Sequence, residues 1–133
     1  MKYLSTRDKT LRLSAAEAIK MGLSRDGGLF TPEVFPTLSE GEIRDLCAMD
    51  YRKRTAYVMG KFLDDFTIGE LEEFADFAYS AAKYDHPAAA PLRQVWGKTW
   101  CLELWHGPTC AFKDMALQML PLLLSASLKK TGE

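Results

Sequence analysis

Three segments of this 133-residue sequence carry the same helix-start pattern, a serine or threonine followed three residues later by a glutamate. The pattern occurs at Ser14–Glu17, Ser39–Glu42 and Thr67–Glu70. In such a capping box the hydroxyl and the carboxylate each accept a hydrogen bond from a backbone N–H near the helix start. The part of the chain that contains these segments is therefore predicted to be mainly helical.

Apolar residues recur every three or four positions after these starts, as they do on the buried face of a helix. The residues at this spacing are Ile43, Leu46, Cys47 and Asp50, then Tyr51, Thr55, Val58, Met59, Phe62 and Leu63, then Leu71, Phe74, Ala75, Ala78, Tyr79 and Ala82. We interpret them as packing residues of one shared core and not as a cofactor site. Gly22 is expected to end the first helix.

Two adjacent glycines, Gly27 and Gly28, lie between the first two predicted helices. They predict a turn that leads into a short strand, Leu29–Thr31, which can pair with the segment Lys2–Thr6. A glycine pair can also cradle a phosphate, and this alternative stays open, although a turn is the commoner reason for adjacent glycines.

The composition narrows the class of protein and the partners it can take. Apolar residues make up 47% and charged residues 26%, with 17 basic against 18 acidic side chains and a net charge of −1. These values exclude a disordered chain and argue against a nucleic-acid partner. No apolar stretch approaches the ~20 residues that span a bilayer, so no membrane association is expected.

The three cysteines, Cys47, Cys101 and Cys110, follow no metal-binding spacing. Their odd number and wide separation predict neither a disulfide framework nor a zinc site, so the expected metal content is none. Cysteines used in this way are typical of a reducing compartment, and a cytoplasmic location is expected.

Two prolines in His86–Pro91 interrupt the helical pattern, because proline cannot continue a helix. We therefore divide the chain into a helical domain, residues 1–85, and a second region, residues 86–133. The second region begins with two predicted strands, Leu92–Trp96 and Thr99–Leu104, joined by a hairpin turn.

A final helix is predicted from about Cys110 to Lys129, with Thr109 as its cap and a kink at Pro121. Its residues from Met115 to Leu124 are apolar nearly all round, as in the buried helices of larger α/β proteins. The hairpin and this helix cannot cover each other on all sides. We therefore expect the chain to be the N-terminal part of a longer protein.

Lys113 is the candidate for chemistry, because it follows a tight turn at the predicted start of that helix. The N–H groups of a helix start and burial beside Phe112 both disfavour a protonated lysine. A neutral lysine is a nucleophile that can form a Schiff base with an aldehyde. The alternative is a solvated lysine paired with Asp114 or Glu103.

The segment around this lysine, Glu-Leu-Trp-His-Gly-Pro-Thr-Cys-Ala-Phe-Lys-Asp at residues 103–114, closely resembles the threonine synthase signature. More loosely, it resembles the lysine segment of fold-type II pyridoxal phosphate (PLP) enzymes. The segments Tyr3–Arg7 and Asp26–Glu33 are similar to the N-terminal domain of threonine synthases. The departures are Asp8, Trp105, Cys110 and Pro121, and none of them is at Lys113 itself.

This resemblance implies an α/β enzyme of fold-type II. The chain would supply its α-rich N-terminal domain, with a few short strands, together with a β-hairpin and the first helix of the PLP domain. It implies that Lys113 is catalytic and holds PLP covalently, and that Phe112 and Thr109 contribute to cofactor binding. The implied reaction converts O-phospho-L-homoserine and water to L-threonine and phosphate.

The cofactor-phosphate cradle of the family is expected beyond residue 133, in the remainder of the catalytic domain, which is the expected partner. This chain alone should therefore bind PLP poorly and lack synthase activity. Two other functions remain open, a threonine synthase-like phospho-lyase that ends at a keto acid, and a non-catalytic docking or lid module at residues 1–85. His106 is either near the cofactor or a structural loop residue.

Overall fold

A computed structural model describes residues 1–133, which form six helices and five strands. In chain order the elements are β1 (Tyr3–Ser5), β2 (Arg12–Leu13), α1 (Ala15–Met21), β3 (Phe30–Pro32), α2 (Glu40–Ala48), α3 (Tyr51–Phe62), α4 (Ile68–Ala78), β4 (Leu92–Trp96), β5 (Thr99–Leu102), α5 (Asp114–Leu117) and α6 (Leu120–Lys130). The predicted combination of helices, a few short strands and a hairpin is confirmed. None of the helices combines the length and apolar character that crossing a bilayer requires.

The three predicted capping boxes are all present, at the starts of α1, α2 and α4. At α4, for example, the Thr67 N–H donates to the Glu70 carboxylate at 2.7 Å, and the Glu70 N–H donates to the Thr67 hydroxyl at 3.2 Å. Helix α3 is capped by Asp50, whose carboxylate accepts a hydrogen bond from the Lys53 N–H at 2.9 Å. Sequence reasoning missed this cap and placed Asp50 on the stripe of the preceding helix.

The short strands form an antiparallel sheet in the order β2-β1-β3, with Leu4 opposite Thr31. The predicted pairing is confirmed, whereas β2 was not predicted. The glycine pair forms the turn before β3. A Cβ added to Gly28 would lie 2.2 Å from the Ser5 hydroxyl, and the Gly28 N–H already donates to Asp26 at 2.8 Å. Close approach to Ser5 therefore explains why glycine stands there.

The core consists of 13 buried residues that come from several helices. Leu71 and Ala75 of α4 are fully buried, and Met119 and Leu123, from the end of the chain, belong to the same cluster. The core thus includes residues from both sides of the boundary expected at residue 85. The division into residues 1–85 and 86–133 stays a prediction.

The single final helix predicted from Cys110 to Lys129 is wrong. Turns occupy the segment up to Lys113, followed by the one-turn helix α5 and then by α6. Cys110 has a φ of 57°, which no residue within an α-helix adopts. Pro121 lies in the first turn of α6, where its missing N–H costs nothing, so it starts a helix and does not kink one.

The hairpin of β4 and β5 is confirmed, with Gly97 at a φ of 50° in its turn. Strand β5 ends at Leu102, two residues before the predicted end, and the register shifts between Gln94 and Trp96. Large apolar side chains of the hairpin are exposed, including Trp96 at 69% and Trp100 at 56%.

Candidate active site

The lysine loop, defined as residues 103–114, leads from β5 into α5 and folds around the side chain of Asp114. Asp114 is 2% exposed, and its carboxylate accepts from the Thr109 N–H at 2.8 Å and from the Thr109 hydroxyl at 3.0 Å. Gly107 packs against the same side chain, since a Cβ added there would lie 2.6 Å from the Asp114 Cβ. Asp114 therefore fixes the shape of the turn that precedes Lys113.

Thr109 does not cap a helix as the sequence predicted, because its hydroxyl is a donor to Asp114 and not an acceptor from a helix start. Spacing alone did not reveal this contact, because an aspartate five residues after a threonine is not a recognised local motif. Because Thr109 bonds the buried carboxylate of Asp114, it does not cap a helix, and a turn occupies the place of the predicted first helical turn.

Lys113 occupies the residue immediately before α5, in α-helical geometry with a φ of −62°, and its side chain is exposed. Phe112 is also exposed, at 66%, so the expected burial of the lysine beside it is wrong for this chain. The argument from a helix start also fails, because α5 has only four residues. The acids expected as partners are bonded elsewhere, Asp114 to Thr109 and Glu103 to His106.

His106 holds the first half of the lysine loop against the segment that follows α4. Its Nδ1 lies 2.6 Å from Asp85 Oδ1, and its Nε2 lies 2.8 Å from Glu103 Oε2. The Asp85 N–H also donates to the His106 carbonyl at 3.2 Å. Hydrogen bonding to Glu103, and then to Asp85, raises the pKa of His106 above its ordinary value. Of the two alternatives, a structural loop histidine is the one the contacts support.

Tyr79, the residue after α4, holds the other end of the loop. Its hydroxyl donates to the Met115 carbonyl at 2.6 Å, two residues beyond Lys113. Burial raises the pKa of Tyr79, so the hydroxyl remains a donor at neutral pH. The sequence placed Tyr79 correctly in the core but gave no signal of this contact or of the one made by Asp85.

Lys113 and Phe112 line a cleft of about 990 Å³, which we call the lysine cleft. Its walls are mostly apolar and come from the start of α3, the proline-rich segment, the hairpin and α5; they include Tyr51, Pro91 and Leu102. Thr109 and His106 do not line it.

Two basic side chains reach the lysine cleft, and their surroundings differ. The guanidinium of Arg54 donates to the carbonyls of Leu46 and Met49, at 3.0 and 2.9 Å. Lys113 has no hydrogen bond or ion pair to a neighbouring side chain. The cleft therefore combines a lysine without a side-chain partner and mostly apolar walls. No group of three or more acidic, histidine or cysteine side chains is placed to hold a metal ion.

Comparison with known proteins decides the family. A family model described as the threonine synthase N terminus matches residues 2–79, more than half of the chain. The chain belongs to the threonine synthase family. Threonine synthase from Pseudomonas aeruginosa is 39% identical over 134 residues, an alignment that covers 100% of this chain and 28% of the relative. The resemblance noted in the sequence is thereby confirmed.

Solved threonine synthase structures share the fold of this chain. The crystal structure of PLP-bound threonine synthase from Brucella melitensis matches with a TM-score of 0.92 and 36% identity, over 100% of this chain and 28% of that one. Human threonine synthase-like 1 is 38% identical over 130 residues, which cover 90% of this chain and 17% of the relative. The chain thus spans less than a third of the length of these threonine synthase family members.

Proposed function

We propose that this chain supplies the cofactor lysine of a PLP-dependent threonine synthase, which converts O-phospho-L-homoserine and water to L-threonine and phosphate. The observation that carries the proposal is that Lys113 lines a mostly apolar cleft while the neighbouring acids bond other groups. The PLP-bound Brucella relative, 36% identical over the whole chain, supports the choice of cofactor. A cytoplasmic location belongs to the same proposal.

Each proposed site residue has a distinct task. Lys113 Nζ holds the cofactor aldehyde and carries protons between substrate carbons, for which the amine must be neutral. Phe112, in the wall of the cleft, packs against the cofactor ring. Thr109 acts through Asp114, whose carboxylate it bonds, and thereby fixes the backbone that carries Lys113. When bound, PLP supplies an electron sink for charge that develops on the substrate.

The proposed domain organisation keeps the boundary at residue 85 that the sequence predicts. We propose that residues 86–133 begin the catalytic domain of a fold-type II enzyme and that residues 1–85 form its helical N-terminal domain. The match of the family model to residues 2–79 supports that division. The relatives have a further catalytic portion, which we propose supplies the cofactor-phosphate contacts and substrate specificity. Without it, this chain should form only a weak link to PLP and show no turnover.

The test uses two proteins, the 133-residue chain itself and a chimera in which this chain replaces the matching segment of the Pseudomonas aeruginosa enzyme. Each is incubated with PLP, reduced with borohydride and mapped by peptide mass spectrometry. We expect stoichiometric labelling of Lys113 in the chimera and partial labelling in the isolated chain. Lys113→Arg should abolish labelling, whereas Lys129→Arg, at an exposed position of α6, is the matched control.

Two outcomes would contradict the proposal. Label on another lysine would show that the covalent link is misassigned, and turnover by a Lys113→Ala chimera would favour a docking or lid role. Product analysis with O-phospho-L-homoserine separates the remaining alternative. Threonine supports the synthase, and a keto acid supports the phospho-lyase.

A further inference from the structure

We propose that His106 is a positioning residue, an imidazolium that bridges Asp85 and Glu103 and thereby sets the position of the lysine loop. The proposal deepens the proposed function, because the loop matters for chemistry only if Lys113 holds the cofactor. The bridge itself is a property of the chain without any ligand. It ties the segment after α4 to the end of β5 through one side chain.

The geometry requires both ring nitrogens of His106 to donate. A neutral imidazole has one N–H and one lone pair, whereas an imidazolium has two N–H groups. Carboxylate oxygens lie 2.6 Å from Nδ1 and 2.8 Å from Nε2. An ionised carboxylate is only an acceptor, so a lone pair on either nitrogen would face another lone pair. The His106 side chain is only 12% exposed and that of Glu103 only 10%, so water contributes little to the contact with Glu103. Asp85 is 78% exposed, so the contact on the Nδ1 side faces solvent.

The other groups around His106 are compatible with a positive charge there. Arg93 lies 3.8 Å from Glu103 Oε1, so it contacts the oxygen that His106 does not use. The ring of His86 is 5.1 Å from that of His106, but its Nδ1 accepts from the Ala88 N–H at 3.1 Å. The Nδ1 lone pair of His86 is therefore engaged by the backbone. Trp105 stacks on His106 at 5.6 Å and carries no charge.

A short chain of contacts connects the bridge to Lys113. The next residue, Gly107, packs against the Asp114 side chain. A Cβ added to Gly107 would lie 2.6 Å from the Asp114 Cβ. Asp114 follows Lys113 directly and binds Thr109. A displacement of His106 therefore moves Gly107 and loosens the turn around Asp114. Beyond Lys113, the bond from Tyr79 to Met115 holds the loop in place independently.

The bridge makes the order of the loop depend on pH. The pKa of His106 is raised by Glu103 and Asp85, so the histidine binds its second proton more tightly in the folded chain than in the unfolded one. The stabilisation is complete below the ordinary histidine pKa of about 6.5 and is lost as the pH rises through the raised value. A rise in pH through the pKa of His106 should therefore loosen residues 103–114.

The first experiment measures the bridge in the 133-residue chain without cofactor. Nitrogen-15 NMR of the histidine rings should show both nitrogens of His106 protonated at neutral pH. Hydrogen exchange at residues 107–114, corrected for the intrinsic pH dependence, should show protection that falls by about tenfold as His106 loses its proton. A single neutral tautomer of His106 at neutral pH would overturn the proposal.

Variants separate positioning from a purely structural role. His106→Gln should show low, pH-independent protection of the loop, and Asp85→Asn, at an exposed residue, should weaken the bridge from its other end without threatening the core. His86→Gln is the matched control and should behave like the parent chain. Unchanged loop protection in both His106→Gln and Asp85→Asn would refute the bridge.

A last measurement distinguishes this inference from the proposed function. In the chimera, His106→Gln should slow borohydride-trapped labelling of Lys113 by PLP, with the pH dependence of the labelling lost as well. Absence of labelling in the parent chimera would count against the cofactor assignment and leave the NMR and exchange results on the bridge unaffected. Labelling of His106→Gln at the parent rate and pH profile would overturn the positioning role.

Discussion

The helical unit formed by α1–α4 and the lysine loop are held together by different kinds of contact. In the helical unit, caps join residues three positions apart, as between Thr67 and Glu70, and periodic apolar faces build the core. At the lysine loop and the start of α5, the decisive bonds join residues 21 positions apart at His106 and Asp85 and 36 positions apart at Tyr79 and Met115. The segment that follows α4 thus provides the partners that place Lys113.

This difference predicts two kinds of response to mutation. Changes in the core of the helical unit should lower the free energy of unfolding of the whole chain. Changes in the lysine loop should reduce order locally and leave the rest of the chain folded.

The largest expected effect is that of Leu71→Ala in the core of α4. Leu71 is 0% exposed, and removing its buried methyl groups leaves a cavity that should cost about 2–5 kcal/mol. Urea unfolding followed by circular dichroism measures the loss. Ile68→Ala, on the same helix at a side chain 54% exposed, is the control and should cost much less. Equal losses for the two variants would mean that α4 does not pack as described.

Gly107→Ala tests the lysine loop. The added Cβ would lie 2.6 Å from the Asp114 Cβ, and relieving that overlap should cost about 1–3 kcal/mol. We expect hydrogen exchange to accelerate at residues 107–114 more than in α4. The control is Gly69→Ala, where no atom lies within 4 Å of the new Cβ. If hydrogen exchange accelerated equally throughout the chain, the expected difference between the two regions would be wrong.

Much of the helical unit could be predicted because its rules are local. The capping boxes, the turn at Gly28 and the hairpin all follow from residues a few positions apart. The lysine loop could not be predicted in the same way, because the buried carboxylate of Asp114 overrides the helical pattern. The contact of His106 with Asp85 also carried no signal, since Asp85 lies 21 residues away in an unrelated segment.

Tyr79→Phe tests the contact between the two regions. The variant keeps the ring in the core but removes the hydroxyl that donates to the Met115 carbonyl, which should cost about 1 kcal/mol. Exchange should accelerate in α5 before it accelerates elsewhere. Tyr84→Phe is a close control, because the buried Tyr84 hydroxyl has no hydrogen-bond partner, so its removal should cost nothing or stabilise the chain. A larger loss for Tyr84→Phe would contradict this assignment.

The smallest expected effect concerns Glu70, which lies 2.8 Å from Lys130 and so joins the start of α4 to the end of α6. Lys130, and then the Thr67 N–H, lower the pKa of Glu70 to about 2. Because the folded pKa is below the ordinary value of about 4.3, the contribution is present above that pH and is lost as the pH falls toward 2. Because solvent screens the charges of these partly exposed side chains, the ion pair should contribute about 0.2–1 kcal/mol to the free energy of unfolding.

Glu70→Gln isolates that charge, because glutamine can still complete the capping box with Thr67. The urea midpoints of the parent chain and the variant should differ at pH 7 and converge as the pH falls below the ordinary glutamate pKa of about 4.3. Glu73→Gln, at an exposed residue of the same helix, should show no such convergence. If exchange in α5 and at Lys113 also changed in Glu70→Gln, the ion pair would act on the lysine loop. The two regions would then be coupled through α6 as well as through His106 and Tyr79.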